Sequence, residues 1–140
     1  MPRRRSMVRL VMPLAALAPL ACKTEVEKKM EAMAGTYVHE ASAGPGAPSG
    51  QFLARREIVL RPNGRFVMTS SLEMRGAPRT SGADSGSYRV QGVTVSLHSE
   101  VERGVPMKYT LSGDTLFSAM AAMAKAVTGM DMEEEAFVKR

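Results

Sequence analysis

A chain of 140 residues has room for one ordinary domain. Its formal charge of +5 would suit a nucleic-acid partner, but the location of that charge excludes one. Arg3, Arg4, Arg5 and Arg9 all precede an apolar run. A chain starting at Cys22 holds 15 basic residues against 14 acidic ones, too even a balance to track a phosphate backbone. The single cysteine excludes an internal disulfide.

Residues 1–9 form a basic stretch, and residues 10–21 (Leu-Val-Met-Pro-Leu-Ala-Ala-Leu-Ala-Pro-Leu-Ala) form an apolar one that ends in small residues. This is the pattern of a secretory signal peptide. Twelve apolar residues fall short of the roughly 20 that span a bilayer, and Pro13 breaks a helix there. Pro19-Leu20-Ala21-Cys22 resembles the lipobox of bacterial lipoproteins, with the leucine one place late. The resemblance implies removal of residues 1–21 and acylation of Cys22, which becomes the new N-terminus. Lys23 in place of Asp implies sorting to the outer membrane. Ordinary secretion, with cleavage after the Ala16-x-Ala18 pair, and a structural thiol are the alternatives.

Residues 22–34 read as a charged tether. Val26, Met30 and Met33 fall at helical spacing, so a short amphipathic helix is expected there. It would serve as a solvated tether or close one end of a barrel.

From Gly35 to Arg140 the apolar period changes to two. Strands are expected at Thr36–Glu40, from Phe52 to Leu60, from Arg65 to Leu72, at Gly86–Val90, Val93–His98, Val105–Leu111 and Thr115–Phe117, and around Phe137. Ser42–Gly50 and Arg75–Ala83 read as loops of turn formers. Arg56 interrupts the apolar face of its strand, which suggests a sheet edge. Pro62-Asn63-Gly64 suggests a two-residue hairpin turn with positive φ at Asn63. An Ala-rich helix is expected over Ser118–Thr128, capped by Ser118 and ended by Gly129, with Met120, Met123 and Val127 on one face. All seven aromatic residues fall in expected strands. Short strands joined by turns point to a mainly β fold, an antiparallel meander of seven or eight strands in a barrel or half-barrel.

Gly35-Thr-Tyr37, Leu60-x-x-x-Gly64-x-Phe66, Gly86-x-Tyr88, Val93-x-Val95-x-Leu97 and Tyr109-x-Leu-x-Gly113-Asp-Thr-Leu116 are similar to small lipocalin-like bacterial lipoproteins, the group with NlpE-type domains. Tyr37 stands where lipocalins place a Trp. The Cys-x-x-Cys pair of NlpE-type domains is absent. The resemblance implies a lipocalin-like barrel over residues 35–140. Its interior is expected to be filled by its own side chains, since eight strands leave little room.

Candidate chemistry is sparse. His98 with Ser96, Thr94 and Glu100 is the nearest approach to a catalytic group, and a solvated strand histidine is the plainer reading. His39 stands apart from it. Glu100 and Glu102 share one face of a strand end and read as solvated. No zinc spacing and no phosphate loop occur. Met120, Met123, Met130 and Met132 offer thioethers suited to Cu(I), a distant alternative to the plainer reading of Met120 and Met123 as the helix face and the others as gap fillers. Asp131–Glu135 is a solvated acidic segment or a docking patch for a basic partner.

The sequence thus leads to a non-enzymatic envelope lipoprotein without cofactor or metal. Cys22 is its one assigned residue, carrying the lipid that attaches it to a membrane. A carrier of a small hydrophobic ligand is the alternative, and an envelope protein is a further possible partner. An enclosed apolar cavity of roughly 300 Å3 or more would mark the carrier.

Overall fold

The computed structural model describes residues 22–48 and 50–140. The expected leader, residues 1–21, lies outside the described residues.

Eight antiparallel strands form a closed barrel in sequence order, each paired with its chain neighbours. They are β1 (Gly35–Ala43), β2 (Phe52–Leu60), β3 (Arg65–Met74), β4 (Thr80–Gln91), β5 (Thr94–Ser99), β6 (Met107–Ser112), β7 (Thr115–Ser118) and β8 (Ala136–Lys139). Helix α1 (Glu25–Met33) precedes β1, and α2 (Met120–Thr128) connects β7 to β8.

Helix α1 begins at a capping box. The Thr24 hydroxyl accepts from the Glu27 N–H, and the Glu27 carboxylate accepts from the Thr24 N–H. Met33 is buried and Met30 packs against the core, while Val26 is exposed. The helix is therefore a plug for one end of the barrel, the second of the two roles its spacing allowed. Tyr37 Oη donates to the Met33 carbonyl at 2.7 Å, and Lys139 Nζ donates to the Ala32 carbonyl at 3.0 Å.

The core fills the half of the barrel nearest α1. Alternation along each strand sends Tyr37, Ile58, Leu60, Phe66, Met68, Tyr88, Val95, Leu97, Tyr109, Leu116 and Phe137 inward, and all are buried. Tyr88 Oη donates to the Arg61 carbonyl at 2.7 Å, so its polar end is satisfied beneath the rings. Gly86 lies between Phe66 and β5. A Cβ there would stand 1.9 Å from the His98 carbonyl oxygen and 2.9 Å from Phe66 Cε1, so only hydrogen fits.

Several expectations change. The turn after β2 is not a two-residue turn: residues 61–64 connect the strands, and the positive φ, 79°, belongs to Gly64. Asn63 acts through its side chain, whose Oδ1 accepts from the Arg65 N–H at 3.1 Å. β4 begins at Thr80, inside the expected loop, because its backbone pairs with Ser70–Leu72 of β3 despite unfavourable residue types. Ser118 ends β7 and is buried; the N-cap position falls to Ala119, while Ser118 Oγ accepts from the Met120 N–H at 3.3 Å and so still serves the first turn of α2. The methionine face expected on α2 is exposed, and no residue of that helix is buried. Finally, β2 is no edge, since both its sides are paired from Phe52 to Leu60.

Candidate functional site

The ring of strands is complete only near α1. β8 pairs with β1 at Tyr37 and Val38 alone, and β5 pairs with β4 from Gly86 onward. Beyond those points β1 to β4 continue as a four-stranded lip. One row of inward residues crosses it in register: His39, Arg56, Ser70 and Gly82. The row above it is Ala41, Ala54, Leu72 and Thr80. Ser70 and Gly82 in the first row and Ala41, Ala54 and Thr80 in the second are small, so the concave face holds a groove of about 390 Å3 lined by Ala54, Arg56, Ser70, Leu72, Thr80 and Gly82. A second recess, about 210 Å3, is lined by Met68, Ser70, Gly82, Ala83, Asp84 and Glu102. Both are open to solvent.

Arg56 is the charged group at the floor of this lip. Its Nη1 donates to Glu135 Oε2 at 2.6 Å, and its guanidinium lies 5.6 Å from the centre of the Phe137 ring. Nη2 faces only the Met68 sulfur, at 3.8 Å, a weak acceptor. The rotation that takes Arg56 inward is the strand alternation that also sends Ile58 and Leu60 inward. Its charge is tolerated there because Glu135 answers it and one-third of its side chain stays exposed. His39 Nδ1 lies 2.9 Å from the Ala136 carbonyl oxygen, with its ring 5.3 Å from Phe137. Asp84 Oδ1 accepts from Ser99 Oγ at 2.6 Å and from the Ser85 N–H at 2.7 Å.

The tyrosines respond to this interior. Tyr109 is raised above the ordinary phenol range, first by burial; Arg56 pulls against the shift and Glu135 adds to it. Tyr37 and Tyr88 are raised by burial as well, with smaller pushes from Asp114 on Tyr37 and from Tyr37 on Tyr88.

Residues singled out by sequence fall in separate places. Cys22 is an exposed free thiol three residues before α1. That puts it at the plugged end, opposite the lip. His98 lies on the outer face of β5, half-buried and remote in register from His39. Glu100 and Glu102 diverge: Glu100 pairs with Arg65 on the outside through Arg65 Nη2 at 2.9 Å, whereas Glu102 reaches the recess beside Asp84. Of the acidic segment, Glu135 turns inward to Arg56 and Asp131 meets Lys125 at 2.7 Å. Met120 and Met123 line an outer groove of about 440 Å3 with Val105, Met107 and Val127. Met130 and Met132 are exposed in the segment that follows. Val105 and Val127 are 86% and 84% exposed, so this groove is a bare apolar ledge.

Sequence reasoning noticed Arg56 and misassigned it. An arginine on the apolar face of a strand signals either an edge or an internal ion pair. Its partner, 79 positions later, lies in an acidic run where no residue stands out from its neighbours. Among the described residues no three or more His, Cys, Asp or Glu side chains cluster as a metal site, and no helix is long and apolar enough to cross a membrane. No family model matches the chain, and neither a curated protein nor a solved structure matches it.

Proposed function

We propose that this chain is a non-enzymatic binding module of a bacterial cell envelope, attached to the outer membrane by lipid on Cys22. The observation that carries this reading is the setting of Cys22. It follows a basic and then an apolar stretch, it is the only cysteine, and it stands exposed just before the capped plug helix. An acylated N-terminus there would hold the plugged end toward the bilayer and turn the open lip away from it. Each buried CH2 of a lipid contributes about 0.8 kcal/mol, so more than one chain makes attachment lasting.

The filled interior favours a module over a carrier. Buried side chains from α1 and all eight strands occupy the closed half, and the grooves on the lip open to solvent.

Replacing Cys22 by Ser tests the anchor. Cys22→Ser should stop incorporation of labelled fatty acid and release the protein from the membrane fraction. A variant that remains membrane-bound and still processed would overturn the lipid assignment.

A further inference from the structure

The lip leaves one side of β4 without a neighbour. From Thr80 to Asp84 this strand pairs with β3 alone. The last contact on the β5 side comes from the residue after that strand: the Glu100 N–H donates to the Ser85 carbonyl at 2.9 Å. In an antiparallel ladder the N–H and C=O of one residue point to the same side, and alternate residues point to opposite sides. Ser85 faces the β5 side, so Ser81 and Ala83 do too. Among the described residues nothing pairs with the outward N–H and C=O of Ser81 and Ala83, and both residues are exposed. No Lys or Pro guards Thr80–Ala83, and the one inward charge of this edge, Asp84, is held by Ser99 Oγ at 2.6 Å.

A groove runs from that edge to a charge. Gly82 has no side chain and Ser70 has a short one, so the concave face is open from β4 across to Arg56. There Nη2 of Arg56 lacks an oxygen partner, while Nη1 is held by Glu135. A row of free backbone groups recognises another extended backbone, and a half-satisfied guanidinium two strands in from it recognises a carboxylate on a side chain long enough to cross.

We propose that the free edge of β4, over Thr80–Asp84, binds an extended peptide segment of a partner protein as a ninth strand, with an acidic side chain of that segment passing over Gly82 to Arg56. Glu135 is the internal competitor for the same guanidinium. The interaction deepens the binding-module reading and does not depend on acylation at Cys22, so the two fail separately.

A displayed library of random nine-residue peptides, selected on the full chain carrying Cys22→Ser, tests the proposal. Retained peptides should alternate in polarity around a central Asp or Glu. Changing that residue to Asn or Gln should weaken binding of a synthetic copy about tenfold. Methylating the peptide's backbone nitrogens that face β4 should abolish binding to the unaltered edge. Ala83→Pro, which removes an N–H that β3 does not use, should abolish it too, and Glu135→Gln should tighten it several-fold. Peptide binding should also slow amide exchange at Ser81 and Ala83. Retention that survives both backbone methylation and Ala83→Pro would overturn the proposal. So would failure to retain any peptide, or self-association of the chain through this edge in place of peptide capture.

Discussion

Arg56 and Glu135 meet at 2.6 Å inside the mouth of the barrel, one from the middle of β2 and the other from the residue before β8. The pair ties the lip to the strand that closes the ring. Removing one partner leaves a half-buried charge unanswered, while removing both leaves none. Arg56→Met and Glu135→Leu should each cost about 1–3 kcal/mol, discounted for the exposure of both groups. The double variant should recover most of that loss. Urea unfolding of the four proteins in a double-mutant cycle gives the coupling, and purely additive losses would disprove it.

Gly86 should be the least replaceable glycine in the sheet. Its added Cβ would meet the His98 carbonyl, which belongs to the backbone and cannot rotate away. Gly86→Ala should lower stability by about 2–4 kcal/mol through forced separation of β4 from β5. Gly104→Ala, which meets nothing within 4 Å, should leave it nearly unchanged. Thermal melts followed by circular dichroism compare the two.

The plug helix has its own signature. Met33→Ala should cost about 2–4 kcal/mol, because the side chain is buried beside Tyr37 in the core cluster. Val26→Ala, on the exposed face, should cost only tenths of that. Equal effects in denaturant unfolding would mean that α1 is a tether rather than a plug.

Stability should fall at alkaline pH. Burial leads the upward shift at Tyr37, Tyr88 and Tyr109, so each folded phenol ionises at higher pH than its unfolded counterpart near 10. Above that unfolded value the unfolded chain has fewer protons bound, and the slope of stability with pH is negative. The contribution is complete below pH 10 and is lost as pH rises through the folded pKa values. Denaturant midpoints between pH 8 and 11 measure it. Tyr109→Phe should flatten the decline, and an unchanged slope would refute its share.

The barrel was legible because its core follows a strict alternation. Ile58 and Leu60, Phe66 and Met68, and Val95 and Leu97 announce their strands through side chains alone. The lip was harder to see. Thr80-Ser81-Gly82-Ala83 has the residues of a loop, and only its ladder with β3 makes it a strand. Helix α2 was recognised by its alanines, but periodicity cannot tell a covered apolar face from a bare one. Met120 and Met123 mark an apolar face by their spacing, and the structure leaves that face exposed. The candidate residues divide the same way. Cys22 stands at the end of a local pattern, whereas the meeting of Arg56 with Glu135 depends on closing a ring.

That ring has a single distant seam. Every strand pairs with its immediate successor, except where β1 accepts β8 across Tyr37↔Lys139 and Val38↔Val138. Short-range pairing favours rapid folding, and joining the chain ends is the costliest single loop closure. Any process that delivers the chain N-terminus first would let seven strands zip in order and wait for the last. Residues 136–139 would then act as the latch, and a chain cut before Ala136 would emerge as an open curl with Phe137 missing from its core.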